Sequence, residues 1–332
     1  MANKSGRATI VDVALAARVS PATVSRVMNG RFAGEAEIAE RVRRVAAELR
    51  YSPSHLARSL ALGETRAVAL VVPDLANPAF QAVLAGLTRA AADDRYRVLV
   101  ADSGDSAEEE PPLATETRRR CDAIVLCSPR MTDAVLAGLA ESLRPLVLVN
   151  RSGRDVGAPS VAIDYRSGVL DLARHLHALG HREVAYLDGP QASASTRDRL
   201  LGLADAEATL PGLRVRRMAG GASAEDGLAA AAEVRASGVS AVMAFNDLGA
   251  VGLVHGLRGL GVHVPGDLSV VGFDDIPFAR FLVPALTTAS APYELMGKEA
   301  WLRMRSLLRG EPPEQDGLLG PRLHVRGSTG PR

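Results

Sequence analysis

Only two cysteines occur in the 332 residues, Cys121 and Cys127, and neither stands in a metal-ligand spacing. A disulfide framework and a zinc site are thereby excluded, and free thiols of a reducing compartment are expected. No uninterrupted apolar run is long enough to cross a bilayer. The opening residues, Met1-Ala-Asn-Lys-Ser-Gly-Arg7, hold no apolar signal core. These absences predict a cytoplasmic protein with no membrane partner. No Gly-x-Gly-x-x-Gly follows the first strand-like run, and phosphate loop and nucleophile elbow are both missing. The chain is therefore expected not to be an enzyme, with no catalytic residue, no metal and no cofactor.

Hydrophobic residues make up 47% of the chain, enough for globular cores. The length allows two or three domains. A net charge of only +1 hides an asymmetry. In residues 1–63, Lys4 and nine arginines stand against Asp12, Glu35, Glu37, Glu40 and Glu48, whereas the remainder is mildly acidic. A basic head on an acidic body suits a polyanion-binding module joined to a body of another kind.

The basic head contains a stretch, residues 9–30, that reads as two short helices. Ile10, Val13, Ala14 and Ala17 recur at helical spacing. Thr9 precedes them with Asp12 three residues on, a capping-box variant. Arg18-Val19 makes a turn, Ser20 caps a second helix, Pro21 takes its first position and Gly30 stops it. Val24, Val27 and Met28 face the first helix, leaving Pro21, Ala22, Ser25, Arg26 and Asn29 on a small, polar and basic face. In a helix-turn-helix the second helix enters the major groove of DNA. There Arg26 can meet guanine bidentately, and Thr9, Thr23, Ser25 and Asn29 can hold phosphates. An ordinary helical hairpin with a solvated face fits the same spacing. Residues 35–50 read as a third helix with Ile38, Val42, Val45, Ala46 and Leu49 inward, and Tyr51-Ser-Pro53 breaks it.

From Arg66 the pattern changes. Val68–Val72, Val98–Val100, Ile124–Leu126 and Leu146–Val149 are short apolar runs separated by helical stretches. The alternation recurs at Val184–Leu187, Leu213–Val215, Ala241–Phe245 and Leu268–Phe273. Two such blocks predict an α/β fold of two doubly wound lobes with parallel sheets, and a ligand cleft at the carboxyl ends of the strands. The polar residues after those strands are candidate ligand groups: Asp74, Asn77 and Phe80; Asn150-Arg151; Asp164; Ser195, Arg197 and Arg199; Asn246-Asp247; and Asp274-Asp275. Carboxylates, amides and an arginine on one cleft suit a ligand rich in hydroxyls. Taken singly, each reads better as a helix cap or a loop residue than as a ligand group. Tyr293–Leu308 reads as a long helix of the first lobe ended by Pro312-Pro313, and Leu323–Val325 as a strand of the second.

The motifs carry a resemblance. Asp12-Val13-Ala14, Val19-Ser20, Thr23-Val-Ser-Arg-Val-Met-Asn29, Tyr51-Ser-Pro-Ser54 and Ala57-Arg-Ser-Leu60 are similar to the signature of the lactose-repressor (LacI) family. Further matches are Asn77-Pro78, Gly180-His-Arg182, Gly189-Pro190, Arg197-x-Arg199-x-x-Gly202, Asn246-Asp247, Val270-Val-Gly-Phe-Asp-Asp275, Pro284-x-Leu-Thr-Thr288 and Gly297. They resemble that family's effector core, itself similar to periplasmic sugar-binding proteins.

The resemblance implies a headpiece over 1–53, a hinge helix and linker over 54–65, and a core over 66–332. Within the core it implies a first lobe of about 66–164 and 292–320 and a second of about 165–291 and 321–332. It implies a DNA surface of Thr9, Ser20, Pro21, Ala22, Thr23, Ser25, Arg26, Asn29, Tyr51, Ser54, Ala57 and Leu60, the last a minor-groove wedge. It implies that Arg199, Asn246 and Asp274 hold the effector with Phe80, Ser195 and Tyr293 nearby, and with the strand-end residues Asn77, Asn150, Arg151 and Asp164 these make the expected effector set. Its expected partners are double-stranded operator DNA, a second copy of the chain, and a sugar-like effector, with a purine or nucleoside the lesser choice. No leucine heptads follow the core, so a homodimer is expected. The expected role is a nucleoid-associated repressor. Departures from the family pattern stand at Arg18, Gly34-Glu35, Ala222 and Ala291. Pro111-Pro112 is expected to interrupt a helix of the first lobe.

Overall fold

A computed structural model describes residues 8–51, 64–314 and 316–332. The chain divides into two compact units, Met1–Thr65 and Arg66–Arg332.

The first unit holds α1 (Ile10–Ala17), α2 (Pro21–Met28) and α3 (Ala36–Glu48). Thr9 and Asp12 form a reciprocal capping box: the Thr9 amide donates to Asp12 Oδ2 at 2.8 Å, and Thr9 Oγ1 accepts from the Asp12 amide. The Thr9 backbone bond, with the hydroxyl behind it, holds the Asp12 carboxyl below the usual carboxylate range. Arg18 takes a left-handed conformation, φ 54° and ψ 49°, so the turn forms without glycine. Ser20 Oγ accepts from the Thr23 amide and Pro21 opens α2. Val13, Ala14, Ala17, Val24, Val27, Ala39, Val42, Val45 and Ala46 make the core. Two details differ from expectation. Leu49 lies past the last turn of α3 and is exposed, and Ala39 joins the core one turn before Val42. Glu35, a departure from the family pattern, precedes α3 without a side-chain cap.

The second unit contains two six-stranded sheets. In the first, β1 (Ala67–Val72), β2 (Arg97–Asp102), β3 (Ala123–Cys127), β4 (Leu146–Val149), β5 (Ser160–Ile163) and β11 (Asp316–Leu319) lie in the order β11-β5-β4-β3-β1-β2, all parallel. The second sheet has β6 (Glu183–Leu187), β7 (Arg214–Met218), β8 (Ala241–Met243), β9 (Ser269–Asp274), β10 (Thr287–Ser290) and β12 (Arg322–His324). Its order is β12-β10-β9-β8-β6-β7, and only β12 runs antiparallel. The chain crosses between sheets three times, after β5, β10 and β11.

Helices cover both sheets: α4 (Pro78–Asp93), α5 (Glu110–Arg118) and α6 (Asp133–Leu143), then α7 (Tyr165–Ala178), α8 (Ala194–Thr209), α9 (Ala224–Ala236) and α10 (Asp247–Gly259), and finally α11 (Tyr293–Leu308). α4 and α11 meet through glycine: a Cβ on Gly86 would stand 2.0 Å from Glu294 O, and one on Gly297 2.1 Å from Val83 O. α11 ends at Leu308, before Pro312-Pro313, through Gly310 at φ 69°.

Pro111-Pro112 does not interrupt a helix, contrary to expectation. Both prolines sit in the first turn of α5, where no backbone donor is missed. That turn also buries Glu110, whose carboxylate accepts from the Arg130 and Met131 amides at 2.8 Å each. The strand β2 is not covered on both faces either. It forms a sheet edge with Leu99 and Val100 exposed.

Candidate functional site

On the first unit, α2 presents Pro21, Ala22 and Arg26 to solvent, with Thr23, Ser25 and Asn29 half-buried. Arg26 Nε leans back on Ala22 O at 3.4 Å, leaving its guanidinium at the surface. Asn29 Nδ2 donates to Ser25 Oγ at 3.3 Å, and Ser20 and Thr23 hydroxyls lie 3.0 Å apart. The small polar groups therefore hold one another in place around Arg26. Thr9 is half-buried at the start of α1. The Tyr51 ring packs against the core, and burial raises its phenol pKa above the usual value. Ser54, Ala57 and Leu60 lie outside the described residues.

In the second unit a cleft of about 520 Å³ opens between the two sheets. Strand ends and helix starts supply its walls. Asn77 and Phe80 come from the start of α4, Tyr293 from the start of α11, and Ser195 and Arg199 from the first turns of α8. Asn246 precedes α10 and Asp274 ends β9. These seven expected residues all line the cleft.

Arg199 is the most buried charge among them, at 2% exposure. Its guanidinium carbon lies 4.0, 4.2 and 4.6 Å from the ring centroids of Tyr165, Phe245 and Phe273. Nη2 stands 3.9 Å from Asp274 Oδ1, and Nη1 donates to Ser195 O at 3.4 Å. Nε has no partner. An unpaired buried donor is costly, which marks the position as one that a ligand oxygen would relieve. Asp274 accepts from the Tyr293 hydroxyl and takes φ 117°. Burial pushes its carboxyl up to about 6, partly offset by Arg199 and by the tyrosine. Burial likewise raises Tyr293 well above the usual phenol range, so it stays a donor.

Asn246 is committed at both ends, with Nδ2 donating to Ala222 O and Oδ1 accepting from the Gly249 amide, each at 2.9 Å. Asn77 Oδ1 caps α4 through the Ala79 amide. The Ser195 hydroxyl bonds to Ser193 Oγ at 2.8 Å.

Three expected residues do not reach the lining. Asn150, at φ 55°, donates to Ser128 Oγ and Tyr165 OH and accepts from the Ile163 amide, so it stands behind the wall. Arg151 spends its guanidinium on Pro129 O, Met131 O and Asp133. Asp164 caps α7 through the Ser167 amide. Of the other polar strand-end residues, Asp74 reaches the lining and three do not. Asp247 is buried under Ile276 N and Thr288 Oγ1, and burial raises its carboxyl well above the usual range. Asp275 turns away to Arg326 and Arg280, and Arg197 lies exposed 3.9 Å from Asp133.

Other wall residues were missed: Asp102, Asp105, Ser128, Arg130, Tyr165, Ser193, Ser223, Asp226 and Phe245. A signal existed for several, since Asp102 ends β2, Ser128 follows β3 and Phe245 follows β8. Arg130 carries no such signal. It enters the wall because Glu110 clamps its loop from below. Among the described residues no group of His, Cys, Asp and Glu is placed to hold a metal ion, and no helix is long and apolar enough to cross a membrane.

Comparison with known proteins gives concordant results. Residues 9–54 match the family described as bacterial regulatory proteins, lacI family, and residues 173–329 match the periplasmic binding protein-like domain. An uncharacterized HTH-type transcriptional regulator from the aml 5' region of Streptomyces limosus is 34% identical, over 96% of this chain and 94% of its own. The Lac repressor dimer bound to operator and the anti-inducer ONPF superposes with a TM-score of 0.86 at 26% identity, covering 98% of this chain and 99% of its own. A complex of the transcriptional regulator CelR with cellobiose gives a TM-score of 0.70 at 30% identity, over 97% and 100%.

Proposed function

Because the chain belongs to the lacI family of bacterial regulatory proteins, we propose that it is a repressor that binds a pseudo-palindromic operator as a dimer and is controlled by a sugar-like effector in its cleft. It is a transcriptional regulator rather than an enzyme, as its relatives are. Arg26 on α2 reads base edges, while Thr9, Ser20, Thr23, Ser25 and Asn29 hold phosphates and Pro21 and Ala22 let the helix approach closely. Tyr51, Ser54, Ala57 and Leu60 complete the DNA surface, with Leu60 the wedge at the operator centre. The protein acts in the cytoplasm, on the nucleoid.

The observation that carries the effector reading is the buried Arg199, with an unpartnered Nε, in a cleft whose walls come from both lobes. A ligand that touches both lobes shifts their relative arrangement only through its differential affinity for the two states. Residues 54–65 link that shift to the DNA-binding unit. Asn150, Arg151 and Asp164 act by positioning rather than by touching the ligand. Asn150 orients Ser128 and Tyr165, Arg151 ties the 129–131 loop to α6, and Asp164 fixes the start of α7.

Support for a homodimer comes from the dimeric structural neighbour and from an exposed apolar patch on the second lobe. Phe281 and Val283 are 79% and 82% exposed there, beside Leu228 and Phe278. The test is a gel shift with the DNA upstream of the protein's own gene, with and without neutral mono- and disaccharides. A specific complex whose affinity a sugar changes is the expected result. No specific complex, or a footprint without two-fold symmetry, overturns the reading.

A further inference from the structure

We propose that the cleft takes an uncharged polyhydroxylated ligand and excludes sugar phosphates, sugar acids and nucleotides. This rests on the reading of the cleft as the effector site and narrows it to one chemical class. Five carboxylates line the cleft, Asp74, Asp102, Asp105, Asp226 and Asp274, against two guanidinium groups, Arg130 and Arg199. No lysine or histidine is among the described lining residues.

Both positive charges are already matched. Arg130 Nε donates to Asp105 Oδ1 at 2.6 Å and its Nη1 to Ser128 O at 2.8 Å, with a side chain only 5% accessible. Arg199 faces Asp274 at 3.9 Å from within its cage of rings. The other three carboxylates have no ion-pair partner among the described residues, and backbone amides and one hydroxyl hold them in place. Asp74 accepts from the Ala76 amide, Asp102 from the Leu75 and Gly104 amides, and Asp226 from the Ser223 amide and hydroxyl. Asp74 and Asp102 belong to the first lobe and Asp226 to the second, so carboxylates without an ion pair among the described residues line the cleft on both walls.

A concave site whose lining carries more negative than positive groups focuses that excess on whatever enters. An anionic group would meet that potential on both sides, and would gain Arg199 only by displacing Asp274. Sugar hydroxyls face no such penalty. They donate to carboxylates, and one ligand oxygen accepts from Arg199 Nε, a buried donor that has no partner among the described residues. Phe80 supplies a ring face for the C–H side of a sugar. Repulsion here acts as a selectivity device, because it rejects the charged analogue of an otherwise acceptable ligand.

The test uses the full-length protein, calorimetry and thermal melting. The probes are matched pairs: glucose against glucose 6-phosphate and glucuronate, and ribose against ribose 5-phosphate. Cellobiose and inorganic phosphate are titrated separately. The expected result is that a neutral sugar binds and its anionic counterpart binds about a hundredfold more weakly or not at all. An anionic member that binds as tightly as its neutral partner overturns the charge argument and leaves the effector cleft standing. Stabilisation by inorganic phosphate that disappears in Arg199→Lys also overturns it, because the anion then sits in the cleft. In Asp102→Asn/Asp226→Asn, checked for an unchanged circular dichroism spectrum, the discrimination against the phosphorylated sugars is expected to shrink at least about tenfold. Failure of every sugar, neutral and anionic, together with no phosphate binding, overturns the proposal and the sugar-effector reading with it.

Discussion

The Arg199 guanidinium stands 3.9 Å from the Asp274 carboxylate, too far for a direct hydrogen bond and close enough to hold its charge. The two residues are therefore coupled without satisfying each other. Arg199 has a free Nε, and Asp274 relies on Tyr293 for its hydrogen bond. A fully paired bridge would serve the lobe as a brace and leave nothing for a ligand. Here the brace is incomplete, and both functions have to be separated by experiment.

Arg199→Ala is expected to lower the melting temperature and abolish the effector response together. It removes the cation packed among three rings and leaves Asp274 buried without it, a loss of about 1–3 kcal/mol. Arg199→Lys separates the two roles. Lysine keeps the charge near Asp274 but not the planar fork. Its melting temperature is expected to stay near wild type while calorimetry shows at least about tenfold weaker sugar binding. Wild-type affinity in the lysine variant would assign the residue to structure alone.

Asp274 also makes a pH prediction. Its folded pKa, about 6, is above the ordinary carboxyl value of 3.8. The native state therefore binds this proton first as pH falls. Above pH 6 the buried charge costs stability, and the cost is relieved between pH 6 and 4. The full effect is about 3 kcal/mol at 1.36 kcal/mol per unit. Urea denaturation is expected to show the stability of wild type relative to Asp274→Asn rising by about 2 kcal/mol between pH 7.5 and 4.5. A constant difference would mean that Asp274 titrates normally.

His181 works in the opposite direction. Its ring nitrogens bond to Ser240 Oγ at 2.8 Å and to Ser269 Oγ and Gly330 O at 3.1 Å each. These bonds tie the C-terminal residues to the second lobe. Burial lowers its pKa below 6.5, so the native state resists the proton that the unfolded chain accepts. Stability from this group is complete above pH 6.5 and is lost as pH falls below it. His181→Asn is expected to be less stable at pH 7.5 yet to lose less on acidification to pH 5.5. Equal losses in the two proteins would show that His181 is not a source of acid sensitivity.

Much of the architecture was legible because buried parallel strands read as continuous apolar runs. β1, β3, β4 and β9 announced themselves that way. β5, β10 and β11 did not, for different reasons. Ser160–Ile163 is only four residues, Thr287–Ser290 is largely polar, and Asp316-Gly317 opens an edge strand with poor strand formers. In the cleft, the pattern showed which strands end in polar residues but not which way each side chain turns. Asn150 illustrates the limit: its left-handed backbone sends the amide toward Ser128 and Tyr165 instead of the cleft. Glu110 was hidden by its neighbours, since Glu-Glu-Pro-Pro looks like a broken helix until the prolines are seen in the first turn.

The DNA surface yields the sharpest contrast between two neighbouring residues. Arg26 is exposed on α2, and among the described residues its guanidinium is tied by Nε to Ala22 O, which leaves its two terminal nitrogens toward solvent. Asn29 is half-buried and donates to Ser25 Oγ, so part of its hydrogen-bonding capacity is already used. Arg26→Ala is expected to leave the melting temperature unchanged and to cost about 1–3 kcal/mol of discrimination at one base pair of each half-site. Asn29→Ala is expected to weaken all sequences by a similar factor, because contacts to phosphate carry no base information. Binding measured against operators mutated one base pair at a time distinguishes the two. If Arg26→Ala keeps the wild-type ranking of those operators, the base-reading role of Arg26 is wrong, and α2 contributes only backbone contacts.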